Sequence, residues 1–281
     1  MGSLSVLRGF QWRGHGTAAQ PSTIRQLLVP LDGSQEAARA IEPALRIARS
    51  LQIPVELMTV HDPVHGKWAQ DIDETAAGLS YEHVEVAVVG AGWAGDVIVN
   101  AVAEHPGTVV CMATHNRDRF SRLVAGSVTE HVLRYAEAPV VMVGPRYLPG
   151  EAEGLFERAV VCCDGGHRDE VTLAAAESWA RQLKLELELV HVLGGGADDG
   201  TAARIPDEAV RLEENGLAAR ATVTTGADPA ERLIELFAQR PGSLAVLASH
   251  ARVGLPRIVL GSVSSKVLEA SPVPLLLTRV P

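Results

Sequence analysis

The 281-residue chain reads as a duplicated α/β fold, and three observations predict it. The first is an ordered internal echo. LLVPLDGS (27–34) returns as VVCCDGG (160–166), PGTVVCMATHNR (106–117) as PGSLAVLASHAR (241–252), and VAGSVTEHVL (124–133) as VLGSVSSKVL (259–268). The spacing between echoes is nearly constant, 132 from Asp32 to Asp164 and 135 from Gly126 to Gly261. A repeat of that length is a duplicated domain rather than a solenoid unit. The second is the alternation, in each half, of short β-branched runs with longer amphipathic stretches. The third is that the short runs are apolar almost throughout, as parallel strands buried on both faces are.

The elements follow in order. In the first half, strands are expected at 26–31, 55–60, 83–89, 108–113 and 140–143, with helices at 35–50, 96–105 and 127–136. Residues 63–78 read as a longer connection with at most a short helix. The second half repeats the order, with strands near 159–163, 186–191, 219–224, 244–248 and 274–277, and helices near 170–183, 206–215, 229–239 and 262–270. Pro139 introduces the last strand of one half, and Pro272 and Pro274 that of the other. Proline cannot donate to a ladder, so it belongs at a strand start or on a sheet edge. Bare apolar edges invite aggregation, and two in one chain can cover each other. The halves are therefore expected to pair through their last strands.

Composition bounds the rest. The chain is 47% hydrophobic, which suits two globular domains, each with its own core. Residues 1–22, rich in Gly, Ser and Gln, read as a flexible tail without the apolar core of a signal peptide. A first domain is expected at 23–146, a linker at 147–156 and a second domain at 157–281. The formal net charge of −9 argues against a nucleic-acid partner, and no apolar run reaches the length of a membrane span. The three Cys, two of them adjacent (Cys162, Cys163), cannot frame a disulfide fold and read as buried thiols in a reducing cytoplasm.

A ligand on such a sheet sits at the carboxyl ends of the strands, where strand order reverses. Two duplicated features fall there. One is the Asp after the first strand, Asp32 and Asp164; the other is the loop after the fourth, which leads into Gly126-Ser127 and Gly261-Ser262 at a helix start. A helix N-terminus offers unpaired N–H groups and partial positive charge to a phosphate, and Gly lets the backbone approach closely. Arg117, Arg119, Arg122, Arg252 and Arg257 add charge to these loops. With an Asp to accept from a ribose or amine, the combination suggests a nucleotide. Plain capping is the competing explanation, since Ser127 and Glu130 have the spacing of a capping box and Ser262 is a good N-cap.

These residues, with the GSV-[ST] helix start, resemble the universal stress protein family over nearly all of 23–281, as a tandem pair. The resemblance implies two tandem Rossmann-like domains, each a five-stranded parallel sheet of order 3-2-1-4-5 with helices on both faces, paired through the fifth strand. ATP-binding members carry G-x2-G-x9-G-[ST] in the loop. Carried over, this motif falls on Ala113, Asn116, Gly126 and Ser127 in the first half, and on Ala248, Ala251, Gly261 and Ser262 in the second. Only the last Gly and the Ser match in each copy. The candidate nucleotide contacts in the first half are Asp32, Gly33, Val60, Ala113, His115, Asn116, Arg117, Gly126, Ser127, Val128 and Thr129. In the second they are Asp164, Gly165, Ala248, His250, Ala251, Gly261, Ser262, Val263 and Ser264. The expected cofactor is ATP, with Mg²⁺ as the companion ion a triphosphate would bring.

Other motifs weigh less. Gly90, Gly92 and Gly95 spell G-x-G-x-x-G, the spacing of a dinucleotide fingerprint. Thr114 and His115 stand where its acidic residue belongs, the second copy lacks the pattern, and the loop follows a strand expected at the sheet edge. His61 with His191, and His115 with His250, recur at matched places but lack neighbours at metal-ligand spacing, so packing or backbone hydrogen bonding is their expected role. No G-x-S-x-G elbow, no phosphate loop of the G-x-x-x-x-G-K-[ST] type and no Lys in either candidate loop is present. Two readings stand at this point. One is a cytoplasmic stress-response protein that binds an adenine nucleotide without substantial catalysis, slow hydrolysis staying open. The other is a module that has lost the nucleotide and acts through an unknown protein partner or as a homodimer.

Overall fold

The computed structural model describes residues 23–60, 68–114, 126–150, 154–166, 169–194, 200–250 and 261–280, with backbone alone at 68–70, 249–250 and 279–280. The tail at 1–22 lies outside them. The first half runs β1 (Gln26–Pro30), α1 (Gln35–Ala38), α2 (Ile41–Leu51), β2 (Val55–Val60), α3 (Trp68–Ala77), β3 (Val84–Val89), α4 (Ala94–Glu104), β4 (Thr108–Ala113), α5 (Ser127–Tyr135) and β5 (Val140–Val143). The second runs β6 (Arg158–Cys163), α6 (Asp169–Leu183), β7 (Glu186–Leu193), α7 (Thr201–Glu214), β8 (Ala219–Thr225), α8 (Pro229–Ala238), β9 (Ser243–His250), α9 (Ser262–Ala270) and β10 (Leu275–Val280).

The strands form one ten-stranded sheet of order β3-β2-β1-β4-β5-β10-β9-β6-β7-β8. Each half shows the expected order 3-2-1-4-5, parallel throughout. The halves meet where β5 and β10 pair antiparallel, Leu275 opposite Met142, Leu276 opposite Val141 and Leu277 opposite Val140. The proline-led edges do cover each other. All six of those residues are buried, at 4% exposure or less. Gly144 ends β5 so close to α9 that a Cβ there would collide with the carbonyl oxygen of Leu268.

Successive strand residues face opposite layers, the period of two that an extended chain imposes. Leu27 and Val29 join the core under α2, while Leu28 joins the core under α4 and α5. The first layer continues under α6 and α7, the second under α8 and α9. Near the junction, buried Arg46 of α2 donates to the Leu155 carbonyl (3.2 Å) and lies 3.9 Å over the Phe156 ring.

Three elements depart from expectation. The helix expected at 35–50 is two. Arg39 and Ala40 turn back on Glu36 and Ala37 by tight bonds of 3.2 and 3.1 Å, and α2 then starts with Pro43 in its first turn. A proline ring opposes the carbonyl four residues earlier and has no N–H, so one continuous helix would break there. Residues 63–78, read as a connection, hold the ten-residue α3, anchored by buried Ile72. Helix α7 begins at Thr201, so Pro206 lies inside it rather than opening it. Proline is favoured in a first turn, but here burial of Ile205, Ala209 and Leu212 carries the helix through.

Candidate functional site

The site is built where β1 and β4 part. Their ladder pairs Gln26–Thr108, Leu27–Val109 and Leu28–Val110, then stops, while β1 stays paired with β2 as far as Pro30–Met58. The second half splays in the same way, with β6–β9 pairing ending at Val161–Val246. Each gap is the crevice expected at a switch point in strand order.

At the lip of the first crevice, Asp32 follows β1 and Gly33 turns the chain at φ 79°. The Asp32 carboxylate accepts from the Ser34 N–H (3.0 Å) and hydroxyl (2.5 Å), and that hydroxyl accepts from the Ala37 N–H, capping α1. Val60 ends β2 and Ala113 ends β4 at the same edge of the sheet. Thr114, buried beyond Ala113, donates its N–H to Val143 (2.9 Å) and so ties β4 to β5.

Helix α5 starts at this end with Gly126 as N-cap, in extended geometry (φ −53°, ψ 155°), a residue with no side chain of its own to cap the helix. Gly261 does the same for α9 (φ −54°, ψ 158°). Here the capping explanation fails. Ser127 and Ser262 are the first helical residues, not caps, and Glu130 donates its N–H to the Gly126 carbonyl (2.9 Å) one turn on. A capping box needs Ser in the preceding, extended position. Among the described residues, a Cβ at Gly126 would meet no atom within 4 Å, so none of them requires glycine there. Ser127 is exposed, Val128 half-buried and Thr129 buried. In the second half Ser262 is exposed, Val263 half-buried, and buried Ser264 is 3.5 Å from the Ala248 carbonyl, to which its hydroxyl donates.

The second crevice has the same frame but different contents. Asp164 follows β6 and accepts from the Gly166 N–H (2.8 Å), and Gly165 turns at φ 84°. A further carboxylate, Asp169, accepts from the N–H groups of Asp164 (3.1 Å) and Gly165 (2.8 Å). Burial pushes the Asp169 carboxyl up, against the pull of those two N–H groups. His191 donates from Nδ1 to the Cys163 carbonyl (3.0 Å), the backbone role expected of it. Burial pushes the Cys162 thiol up to about 12 and Cys163 well above its usual range, so neither is a ready nucleophile. Sequence reasoning missed Asp169. The available signal was Gly166 at the place of Ser34, which removes the capping hydroxyl from the second turn.

His61, His115, Asn116, Arg117, Arg119, Arg122, Ala251, Arg252 and Arg257 lie outside the described residues, as does the side chain of His250. The G-x-G-x-x-G loop follows β3 at the outer edge of the sheet, away from both crevices. There Gly95 makes room for Trp93 and His131, which pack edge to face at 4.3 Å. No group of three or more metal-ligating side chains occurs among the described residues, and none of their helices is long and apolar enough to cross a membrane.

Comparison with known proteins agrees with this architecture. The model of the universal stress protein family matches residues 23–144 and again 155–279. A universal stress protein of Mycolicibacterium smegmatis is 25% identical over 303 aligned residues, 92% of this chain and 99% of the relative. One from Bacillus subtilis is 26% identical over its whole length, which covers 44% of this chain. The crystal structure of a universal stress protein from Archaeoglobus fulgidus shares the fold, with a TM-score of 0.70 at 20% identity over 90% of this chain and 98% of that one. The chain belongs to the universal stress protein family, with two family domains in tandem.

Proposed function

We propose that this protein binds an adenine nucleotide, ATP with its Mg²⁺, in the first crevice and performs no substantial catalysis on it. The observation that carries the reading is the start of α5. A glycine N-cap brings no capping side chain of its own, which leaves helix N–H groups for an anion, at the end of the sheet where Asp32 offers a carboxylate. Asp32 would hold ribose or base, and the N–H groups of Ser127 and Val128 would hold phosphate. Bound nucleotide would bias association with another protein in a stress response.

Calorimetric titration of ATP into wild type, Gly126→Val and Gly261→Val tests this. Gly126 has open space around it among the described residues and an ordinary φ, so valine should leave the fold intact while blocking close approach of a ligand. Binding should weaken by more than the ~1 kcal/mol of a helix-start perturbation. Absence of ATP binding to the wild type at millimolar concentration would overturn the reading. The alternative would then stand, a family module acting through protein contacts alone. The Ala and Asn residues at the four positions where binding members carry Gly, Ala113, Asn116, Ala248 and Ala251, favour that alternative.

A further inference from the structure

The turns after β1 and β6 differ at one buried position. Five residues beyond Asp32 stands Ala37; five beyond Asp164 stands Asp169. Both are buried, at 5% and 8% exposure. In the first turn Ser34 supplies the cap of α1 and the side chain at 37 is a methyl group. In the second, Gly166 replaces that serine, and the Asp169 carboxylate folds back over the turn to accept from two successive backbone N–H groups. The start of α7 closes the same turn from another side, because a Cβ at Gly165 would collide with the Thr201 hydroxyl. The second crevice therefore already holds an anion on its backbone donors, beside the carboxylate of Asp164.

We propose that Asp169 is a built-in occupant of the second crevice, a side-chain carboxylate folded over the turn beside Asp164, in the space that the ribose or base of a nucleotide would need, so that the full chain takes one nucleotide, in its first half. This rests on the nucleotide-binding reading above. The physical reason is twofold. The donors of the turn are saturated by a charge-assisted pair of hydrogen bonds. A nucleotide arriving there would also have to displace a buried charge, and its phosphates would lie near two carboxylates of their own sign.

Titration of ATP into the full chain tests it through stoichiometry. Wild type should bind one ATP, lost on Gly126→Val and unchanged on Gly261→Val. Asp169→Ala should bind two, the added site tightening at least tenfold over wild type and disappearing again when Gly261→Val is combined with it. Asp169→Asn keeps the shape and can still accept one N–H; it should give a weaker second site, and it carries the test if the Ala variant does not fold. The reciprocal change, Ala37→Asp, should abolish binding in the first half. A purely structural role for Asp169 would lower the melting temperature and leave the stoichiometry at one, which overturns the proposal. Two sites in the wild type also overturn it while leaving the nucleotide reading intact. No ATP bound by wild type or either Asp169 variant overturns both. One site appearing only in the Asp169 variants and lost on Gly261→Val supports this inference and refutes binding by the first half.

Discussion

Glu56 and Glu188 occupy the same place in the two halves and live in opposite electrostatic surroundings. Each sits on the second strand of its half, beside Leu28 and Val160 respectively on the first. On the third strand Glu56 faces Glu85, whereas Glu188 faces Arg220. Glu188 is fully buried and accepts from Arg240 (2.6 and 2.8 Å), Arg220 (2.7 Å) and Thr222 (2.8 Å), with Arg158 at 3.7 Å. Burial alone would raise its carboxyl, but those hydrogen bonds hold it down at about 2. Glu56 stays half-buried, and its carboxyl is raised by burial, eased by His105 and worsened by Glu85. One frame thus tolerates a carboxylate under the sheet in two ways, by surrounding it with guanidinium groups or by leaving it partly in water.

The sharpest way to break this comparison is to remove an arginine. Arg240→Ala leaves a fully buried carboxylate short of its closest partner, and stripping one partner from a buried pair costs about 3–5 kcal/mol. Urea unfolding of the variant checks it. The wild-type cluster also predicts a pH dependence. The Glu188 pKa is depressed on folding, so its contribution is complete above the usual glutamate range and is lost as pH falls from about 4.5 toward about 2. Loss of stability over that window should shrink in Glu188→Gln.

A second pair of regions sharpens the contrast at smaller cost. Between α4 and α5, His131 lies 4.3 Å from the Trp93 ring, 4.5 Å from the Tyr135 ring and 3.0 Å from Asp96. Between α8 and α9 the matching place holds a plain ion pair, Lys266 to Asp228 at 2.5 Å. His131→Ala should cost roughly 0.5–1.5 kcal/mol, the value of an aromatic contact, and shift the emission of half-exposed Trp93. Glu56→Gln should have the opposite sign. It removes a like-charge opposition across strands, and thermal unfolding at neutral pH should show a gain below about 1 kcal/mol. Lys266→Ala, at an exposed pair, should leave the melting temperature unchanged.

The fold was legible in the sequence because it is written there twice. The repeated Asp turns and Gly-Ser helix starts fixed the topology, and the leading prolines located the edges that pair. What escaped were places where two local rules compete. Pro43 permits a first turn but forbids a longer helix through it, so 35–50 split. Pro206 has the look of a helix start, yet tertiary burial extends α7 past it. The candidate site was legible as a frame, Asp32 and Asp164 at strand ends and Gly126 and Gly261 at helix starts. Its capping explanation was wrong by one residue, since the extended position belongs to glycine and not to Ser127. Asp169 was invisible for another reason. A carboxylate in a first helical turn looks like ordinary dipole compensation, and only the folded turn shows it reaching back to Gly165.

The antiparallel meeting of β5 and β10 has a consequence for how the two halves change over time. Two identical copies joined through that strand would be self-complementary, so every substitution would appear on both sides of the axis at once. They would also come apart on dilution. A covalent link keeps the local concentration of the partner strand in the millimolar range or above regardless of dilution. It also lets each side mutate alone. Asp169 without an acid at Ala37, and Arg220 without a base at Glu85, are changes that a symmetric pair would have had to make twice.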